Sequence, residues 1–271
     1  MEPSIIEKFE QLKKIVQSMG RVLVAYSGGV DSTLLLKMAI DTLGGGNVLA
    51  VTALSPLYPE RELTEAREMA NRLKGRHTLI ESNELEIPGF SKNPSNRCYY
   101  CKKELFEKLL YLAKEESIPF VIEGSTLDDE KDHRPGKRAV QELGIRSPLQ
   151  EALFTKIEVR DLSKALGLPT WDKPSFACLA SRFPYEEEIN AEGLRRVNEA
   201  EDFLFKLGFK QVRVRHYQNL ARIEIFQEEM SRLIDRSLRE KVVGHFKNLG
   251  YIYITLDLQG FRSGSMNEVF K

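Results

Sequence analysis

The spacing of hydrophobic residues changes period several times along the chain, and each change predicts an element. Residues 4–19 place Ile5, Phe9, Leu12, Val16 and Met19 on one helical face, with Ile6 and Ile15 beside it. RVLVAY then reads as a buried strand, SGG as a turn, and DSTLLLKMAIDTLGGG as a helix stopped by glycines. The alternation continues through NVLAVTAL, ERELTEAREMANRL, HTLIES, a helix starting near Lys102 in KKELFEKLLYLAKEE, and FVIEGS. Strands separated by helices of this length imply βαβ units, hence a parallel sheet covered on both faces. This pattern runs to about residue 170.

After SRFPY (181–185) the character changes. An amphipathic helix carries Leu194, Val197, Leu204 and Leu207, and QVRVRHY and LARIEIF are alternating strands close enough for a hairpin. A helix over roughly 229–248 and a strand in YIYITLDL follow. The expected fold class is α/β: a parallel-sheet domain over 1–180, then a smaller α+β domain over 181–271.

Composition narrows the function. With 42% hydrophobic and 30% charged residues, the chain of 271 can bury a core. Forty basic residues balance forty acidic ones, which argues against a protein that coats nucleic acid. No run reaches the ~18 to 20 apolar residues of a membrane span, so no membrane partner is expected. The start, MEPSIIEKFEQLKK, carries charges where a signal peptide needs an apolar centre, and three cysteines suit no secreted disulfide framework. A cytoplasmic protein is expected.

The sharpest motif is Ser27-Gly28-Gly29-Val30-Asp31-Ser32, between a strand and a helix. Two glycines allow a tight turn with unobstructed N–H groups, and the helix start adds further N–H groups and a positive dipole end. Ser27, Ser32 and Thr33 add hydroxyls. Such a hollow suits phosphate or pyrophosphate, and Asp31 beside it suggests a shared Mg²⁺. The same residues would also make an ordinary tight turn. Neither the Walker pattern nor the three-glycine dinucleotide pattern is present.

The other strand ends at the same sheet edge are Val51-Thr52-Ala53 and Gly124-Ser125, the latter followed by Asp128, Asp129 and Asp132. These acids would equally suit a solvated loop.

Cys98-Tyr99-Tyr100-Cys101 leads into a helix, beside Lys102 and Lys103, a setting that suits thiolate ligands. Cys178 lies 77 residues further on. Three thiolates would leave one metal position open, or one iron of a [4Fe–4S] cluster free to take sulfide. Cysteines are also common as small buried residues, and CxxC also occurs as a redox pair or half a zinc site.

The glycine turn matches the signature SGGxDS of the PP-loop ATP pyrophosphatases, which adenylate a substrate with ATP and release pyrophosphate. That resemblance implies adenosine at Ala53 and Gly124. More broadly the chain resembles the LarE family, PP-loop sulfur transferases of nickel-pincer nucleotide cofactor synthesis. The resemblance rests on VAYSGGVDSTLLLKMA, the DDEKDHRPG stretch, SPLQEALFTKIEVRDLSKALGLPTWDKPS, ASRFPY, VRVRHYQNLARIE and TLDLQGFRSGSMNE, spread over almost the whole chain.

The resemblance implies adenylation of a carboxylate of pyridinium-3,5-biscarboxylic acid mononucleotide, then thiocarboxylate formation, with a homo-oligomeric enzyme and an unidentified sulfide donor. One branch sacrifices a cysteine; its position here is Ala177, next to Cys178. The presence of Cys98 and Cys101 points instead to the branch in which Cys98, Cys101 and Cys178 hold a [4Fe–4S] cluster. A substrate phosphate would meet Ser181, Arg182, Arg213 and Arg215. Arg213 and Arg215 lie two apart, hence on one strand face, although a solvated face would read the same. Glu201 and Glu224 match acidic positions near the family's site. The rival readings are a tRNA 2-thiolation enzyme, a PP-loop-like binding protein without turnover, and an amide synthase.

Overall fold

A computed structural model describes residues 3–130, 135–174, 176–262 and 264–270. Packing divides the chain into two units: Met1–Asn83 with Asn96–Phe176, and Glu84–Ser95 with Ala177–Lys271.

The first unit runs α1 (Pro3–Gln17), β1 (Val22–Ala25), α2 (Val30–Leu43), β2 (Val48–Leu54), α3 (Glu60–Arg72), β3 (Arg76–Glu81), α4 (Arg97–Glu115), β4 (Phe120–Ile122), α5 (Gly136–Glu142), α6 (Pro148–Glu151) and α7 (Lys156–Ala165). Its sheet is entirely parallel in the order β3-β2-β1-β4. The two-residue period of a strand sends side chains to opposite faces. Val22 and Val24 pack with Leu34, Leu35 and Met38 of α2, whereas Leu23 packs with Phe106 and Leu109 of α4. Burial on both faces explains why these strands read as unbroken apolar runs.

The α4 helix begins at Arg97, five residues before the expected start near Lys102. Beyond Pro94 no proline or glycine interrupts the chain, so the helix extends back through the whole CxxC stretch.

The second unit contains α8 (Ala191–Lys206), β5 (Val212–Tyr217), β6 (Leu220–Ile225), α9 (Met230–Ile234), α10 (Arg236–Asn248) and β7 (Tyr253–Leu256). The expected hairpin forms: β5 and β6 pair antiparallel, with Tyr217 opposite Leu220 across a two-residue turn, and β7 joins β6 in parallel. Val212, Val214, Ala221, Ile223 and Ile225 meet Leu204 and Phe246 in the core. The single helix expected over 229–248 is two, because Asp235 leaves helical geometry (ψ 130°) and accepts a hydrogen bond from the Leu238 N–H at 3.0 Å.

The stretch Glu84–Ser95, which the sequence pattern leaves with the first domain, packs with the second unit. The Ser91 carbonyl accepts from the Ile189 N–H at 2.8 Å, and the Asn93 side chain donates to the Phe183 carbonyl at 3.3 Å. These are pairings across about a hundred residues, invisible to local periodicity. Among the described residues no helix is long and apolar enough to cross a membrane.

Candidate functional site

At the carboxyl end of β1 the chain turns through Ser27, Gly28 and Gly29 into α2. Gly28 has φ +72°, and a Cβ there would lie 2.8 Å from Ala66 Cβ. The turn therefore needs glycine twice over, for its backbone angle and for the close approach of α3. Gly29 is the N-cap of α2 and supplies no side-chain cap. The N–H groups that open a helix have no acceptor within it, so an anion can take that place.

The serines of the motif bind one another. Ser32 Oγ accepts from the Ser27 N–H at 3.3 Å, lies 3.1 Å from Ser27 Oγ and donates to the Gly29 carbonyl at 3.3 Å. Asp31 is half-buried in the first turn of α2. Its carboxylate and the serine hydroxyls are all hard oxygen donors, the set Mg²⁺ prefers. Thr33, expected beside the hollow, is fully buried with its hydroxyl 3.4 Å from Tyr26 Oη. It belongs to the core because the helix turns its side chain inward.

Two of the other expected strand-end residues lie along this edge. A Cβ on Gly124 would sit 3.0 Å from the Ser32 amide nitrogen, so the chain leaving β4 passes directly against the start of α2. Ala53 is half-buried near the end of β2, and Thr52 Oγ1 donates to the Tyr26 carbonyl at 2.7 Å. Asp129 is buried, accepts from the Thr126 N–H at 2.9 Å and pairs with Lys156 at 2.9 Å. Asp128 accepts from the Lys156 N–H, and Asp132 lies outside the described residues. Asp128 and Asp129 thus fasten the loop after β4 to the start of α7.

Cys98 and Cys101 occupy the first turns of α4, three residues apart and so on one side of the helix. Cys98 is exposed and Cys101 half-buried; neither forms a disulfide, nor does Cys178. Cys178 belongs to the second unit and precedes a short 3-10 turn, Leu179–Arg182. The thiols present suit iron by donor type, and two come from one helix start. Among the described residues, however, no group of three or more His, Cys, Asp or Glu side chains is arranged to hold a metal ion.

The second unit gathers three buried arginines and two buried glutamates. Arg182 and Glu201, both fully buried, form a two-pronged pair with both contacts at 2.9 Å. Glu201 also accepts from the Val214 N–H at 2.9 Å. Arg182 Nη1 donates to the Ala177 carbonyl, to the Cys178 carbonyl at 3.0 Å and to Ser181 Oγ at 2.9 Å. Arg215 forms a similar pair with Glu224, at 2.9 and 2.6 Å, and donates to the Ser181 carbonyl and Ser265 Oγ, both at 2.8 Å. Burial works against the charge on Glu201, but the Arg182 guanidinium outweighs it and holds the carboxyl below its ordinary range.

Arg213 differs. It donates to its neighbour's carbonyl, that of Val212, at 2.8 Å and stands 5.3 Å from the centre of the Phe261 ring. Burial, then the nearby charge of Arg182, push its pKa down to about 9 against the pull of Glu201 and Glu224. Burial is the main cost to the Arg213 charge, a cost that a bound anion would offset.

Periodicity placed Arg213 and Arg215 on one strand face, and they lie on one. It did not reveal that Arg182 and Arg215 are each gripped by a glutamate. Glu201 sits at the edge of an apolar helical stripe, the one local signal that a partner was needed. The sequence reading also passed over Lys173, whose ammonium reaches the Gly28 carbonyl at 3.4 Å, and its partners Glu62 and Glu65. The only signal was its place in a proline- and aromatic-rich stretch, LPTWDKPSF.

Comparison with known proteins bears on part of the chain in some cases and on nearly all of it in others. The family model for NAD synthase matches residues 5–97. An uncharacterized protein of Synechocystis sp. is 47% identical over 97% of each chain. The pyridinium-3,5-bisthiocarboxylic acid mononucleotide synthase of Lactiplantibacillus plantarum is 38% identical over 98% of this chain and 95% of its own. The tRNA-specific 2-thiouridylase of Desulforamulus reducens is 28% identical, over 57% of this chain and 53% of its own.

Proposed function

The chain belongs to the LarE family of PP-loop enzymes, and from that premise we propose that it activates a carboxylate of a pyridinium mononucleotide with ATP and replaces one carboxylate oxygen by sulfur. The observation that carries this reading is the uncapped start of α2, framed by Gly28 and Gly124, in a chain similar over its whole length to a synthase of such a product.

A carboxylate is a poor electrophile. Its oxygen attacks the α-phosphorus of ATP, the bond from that phosphorus to the bridging oxygen breaks, and pyrophosphate leaves with the electron pair. The N–H groups at the start of α2, which no side chain caps, and the hydroxyls of Ser27 and Ser32 are the groups assigned to receive it, with Asp31 placed for Mg²⁺. A hydrosulfide then attacks the carbonyl carbon of the mixed anhydride. AMP departs with the original oxygen, leaving a thiocarboxylate and a proton.

The arginine cluster is assigned to the substrate phosphate, with Arg213 as its main contact and Ser181 at its edge. Arg182 and Arg215 are already bound to Glu201 and Glu224, so we assign these two pairs to support. Glu201 and Glu224 act as counter-ions rather than as metal ligands. Arg182 also fixes the carbonyls of Ala177 and Cys178, and with them the cysteine's backbone.

The cysteines Cys98, Cys101 and Cys178 are assigned to a [4Fe–4S] cluster, which when bound supplies a sulfide not taken from the protein. An external sulfide donor must then recharge it. The exposed Ile252, Tyr253 and Leu258 of the second unit are apolar side chains suited to the homo-oligomer that the family resemblance implies.

A second reading, in which Cys178 gives up its own sulfur, is favoured by Arg182's grip on the carbonyls of Ala177 and Cys178. Iron and acid-labile sulfide measured after anaerobic reconstitution separate the two. About four of each per chain, lost in Cys101→Ala, is expected. No iron, with loss of the Cys178 sulfur in a single turnover by mass spectrometry, overturns the cluster and leaves ATP-dependent activation standing.

A further inference from the structure

Lys173 is fastened at both ends. Its ammonium lies 2.8 Å from Glu62 Oε2 and 2.8 Å from Glu65 Oε2, and donates to the Gly28 carbonyl at 3.4 Å. Glu62 and Glu65 are on α3, the helix whose Ala66 closes the space beside Gly28. One ammonium therefore touches both the glycine turn and the helix packed on it.

The backbone beneath Lys173 is pinned as well. Arg160 of α7 donates to the carbonyls of Trp171 and Lys173, both at 2.8 Å. Lys164 stands 4.4 Å from the centre of the Trp171 ring, and the Arg61 guanidinium lies 5.7 Å from that of Phe176. Three cations from two helices hold the segment that delivers one lysine to the loop.

The Lys173 side chain is only 15% exposed. Burial opposes its charge, but the hydrogen bonds to Glu62 and Glu65 prevail and its pKa is raised, so it remains an ammonium. The ammonium is partly desolvated at the glycine turn; of its two partners Glu62 is about as buried as the lysine, whereas Glu65 is too exposed to hold it strongly.

We propose that Lys173 is a phosphate ligand of the glycine turn, parked on Glu62 and Glu65 in the absence of nucleotide and passed to the β- and γ-phosphates of ATP. The assignment rests on the ATP-dependent activation described above. As the bond from the α-phosphorus to the bridging oxygen breaks, the electron pair passes to pyrophosphate, and Lys173 offsets that charge without giving up its proton. A flexible four-carbon stem with three rotatable donors allows the exchange of partners.

Calorimetric binding of inorganic pyrophosphate with Mg²⁺ to the full chain, with AMP as control, tests this. Lys173→Met is expected to weaken pyrophosphate at least ~10-fold, the loss of one charge-assisted hydrogen bond, and to leave AMP binding unchanged. The double variant Glu62→Gln, Glu65→Gln removes the competing partners and is expected to bind pyrophosphate as tightly as wild type or more tightly. A lysine that merely braces the loop gives the opposite result, with both variants weakening pyrophosphate in proportion to their loss of thermal stability, and that overturns the proposal. Normal pyrophosphate binding by Lys173→Met overturns it alone. A wild-type chain that binds no pyrophosphate overturns the ATP reading and this assignment together. Should Lys173→Met fail to fold, weaker binding by the folded double variant still refutes the exchange and tighter binding supports it.

Discussion

In the first unit the groups proposed to hold an anion begin with backbone, the amides that open α2 after two glycines with no side-chain cap, and are joined by the hydroxyls of Ser27 and Ser32 and by Lys173. In the second they are side chains, with Arg182, Arg213 and Arg215 buried beside Glu201 and Glu224. The backbone part of such a nest carries no formal charge and packs without a counter-ion of its own. An arginine cluster must be neutralised to be buried at all, and two glutamates are spent on that. The first is damaged by adding an atom, the second by removing one.

The sharpest way to break the comparison is therefore subtraction in the second unit. Glu201→Ala leaves Arg182 buried without its carboxylate and is expected to destabilise the protein by about 3–5 kcal/mol in chemical denaturation. Arg213→Met should cost little stability, since burial already works against its charge, while substrate affinity falls about 10- to 100-fold. Equal destabilisation by both would mean that Arg213 is held in the fold as firmly as Arg182.

Addition in the first unit has the next largest effect. Gly28→Ala forces a Cβ onto Ala66 and is expected to cost about 1–3 kcal/mol and to abolish pyrophosphate binding. Gly20 has a similar φ, +69°, with nothing within 4 Å of a built Cβ. Gly20→Ala isolates the backbone strain, about 1 kcal/mol, and should leave nucleotide binding intact. If the two variants bind alike, the approach of α3 has no bearing on the loop.

The smallest effect is the dependence on pH, and its sign differs between the units. The folded pKa of Glu201 lies below its ordinary 4.5, so its contribution is present above that value and lost as pH falls through the folded pKa. Lys173 is raised above 10.5, so its contribution is present below that value and lost as pH rises through its folded pKa. Melting temperature followed across pH should show Glu201→Gln flattening the acid limb and Lys173→Met the alkaline limb. The same limb affected by both would contradict these assignments.

Legibility follows the same contrast. The glycine turn was readable because six consecutive residues make it, and the strand–turn–helix context is set by local periodicity. Gly124 was readable as a strand end, though not the 3.0 Å approach to Ser32 that makes glycine suit the position. Arg213 and Arg215 were placed on one face by a two-residue period. Their unequal partners were hidden, because Glu224 comes from the next strand and Glu201 from α8. The start of α4 was set too late because Lys102 is where strongly helical composition begins, whereas the helix extends back to Arg97.

The sequence by itself determined the alternation of β1 to β4 with the first four helices, the parallel sheet, the hairpin and the glycine turn between β1 and α2. Each is encoded within one or two turns of chain, where hydrophobic period and glycine geometry act locally. Only the tertiary structure decided that Lys173 meets Gly28 across 145 residues, and that Glu201 neutralises Arg182 across 19. Burial sets those pairings: a charge removed from water must find its partner wherever the fold delivers one, and no local pattern records the address.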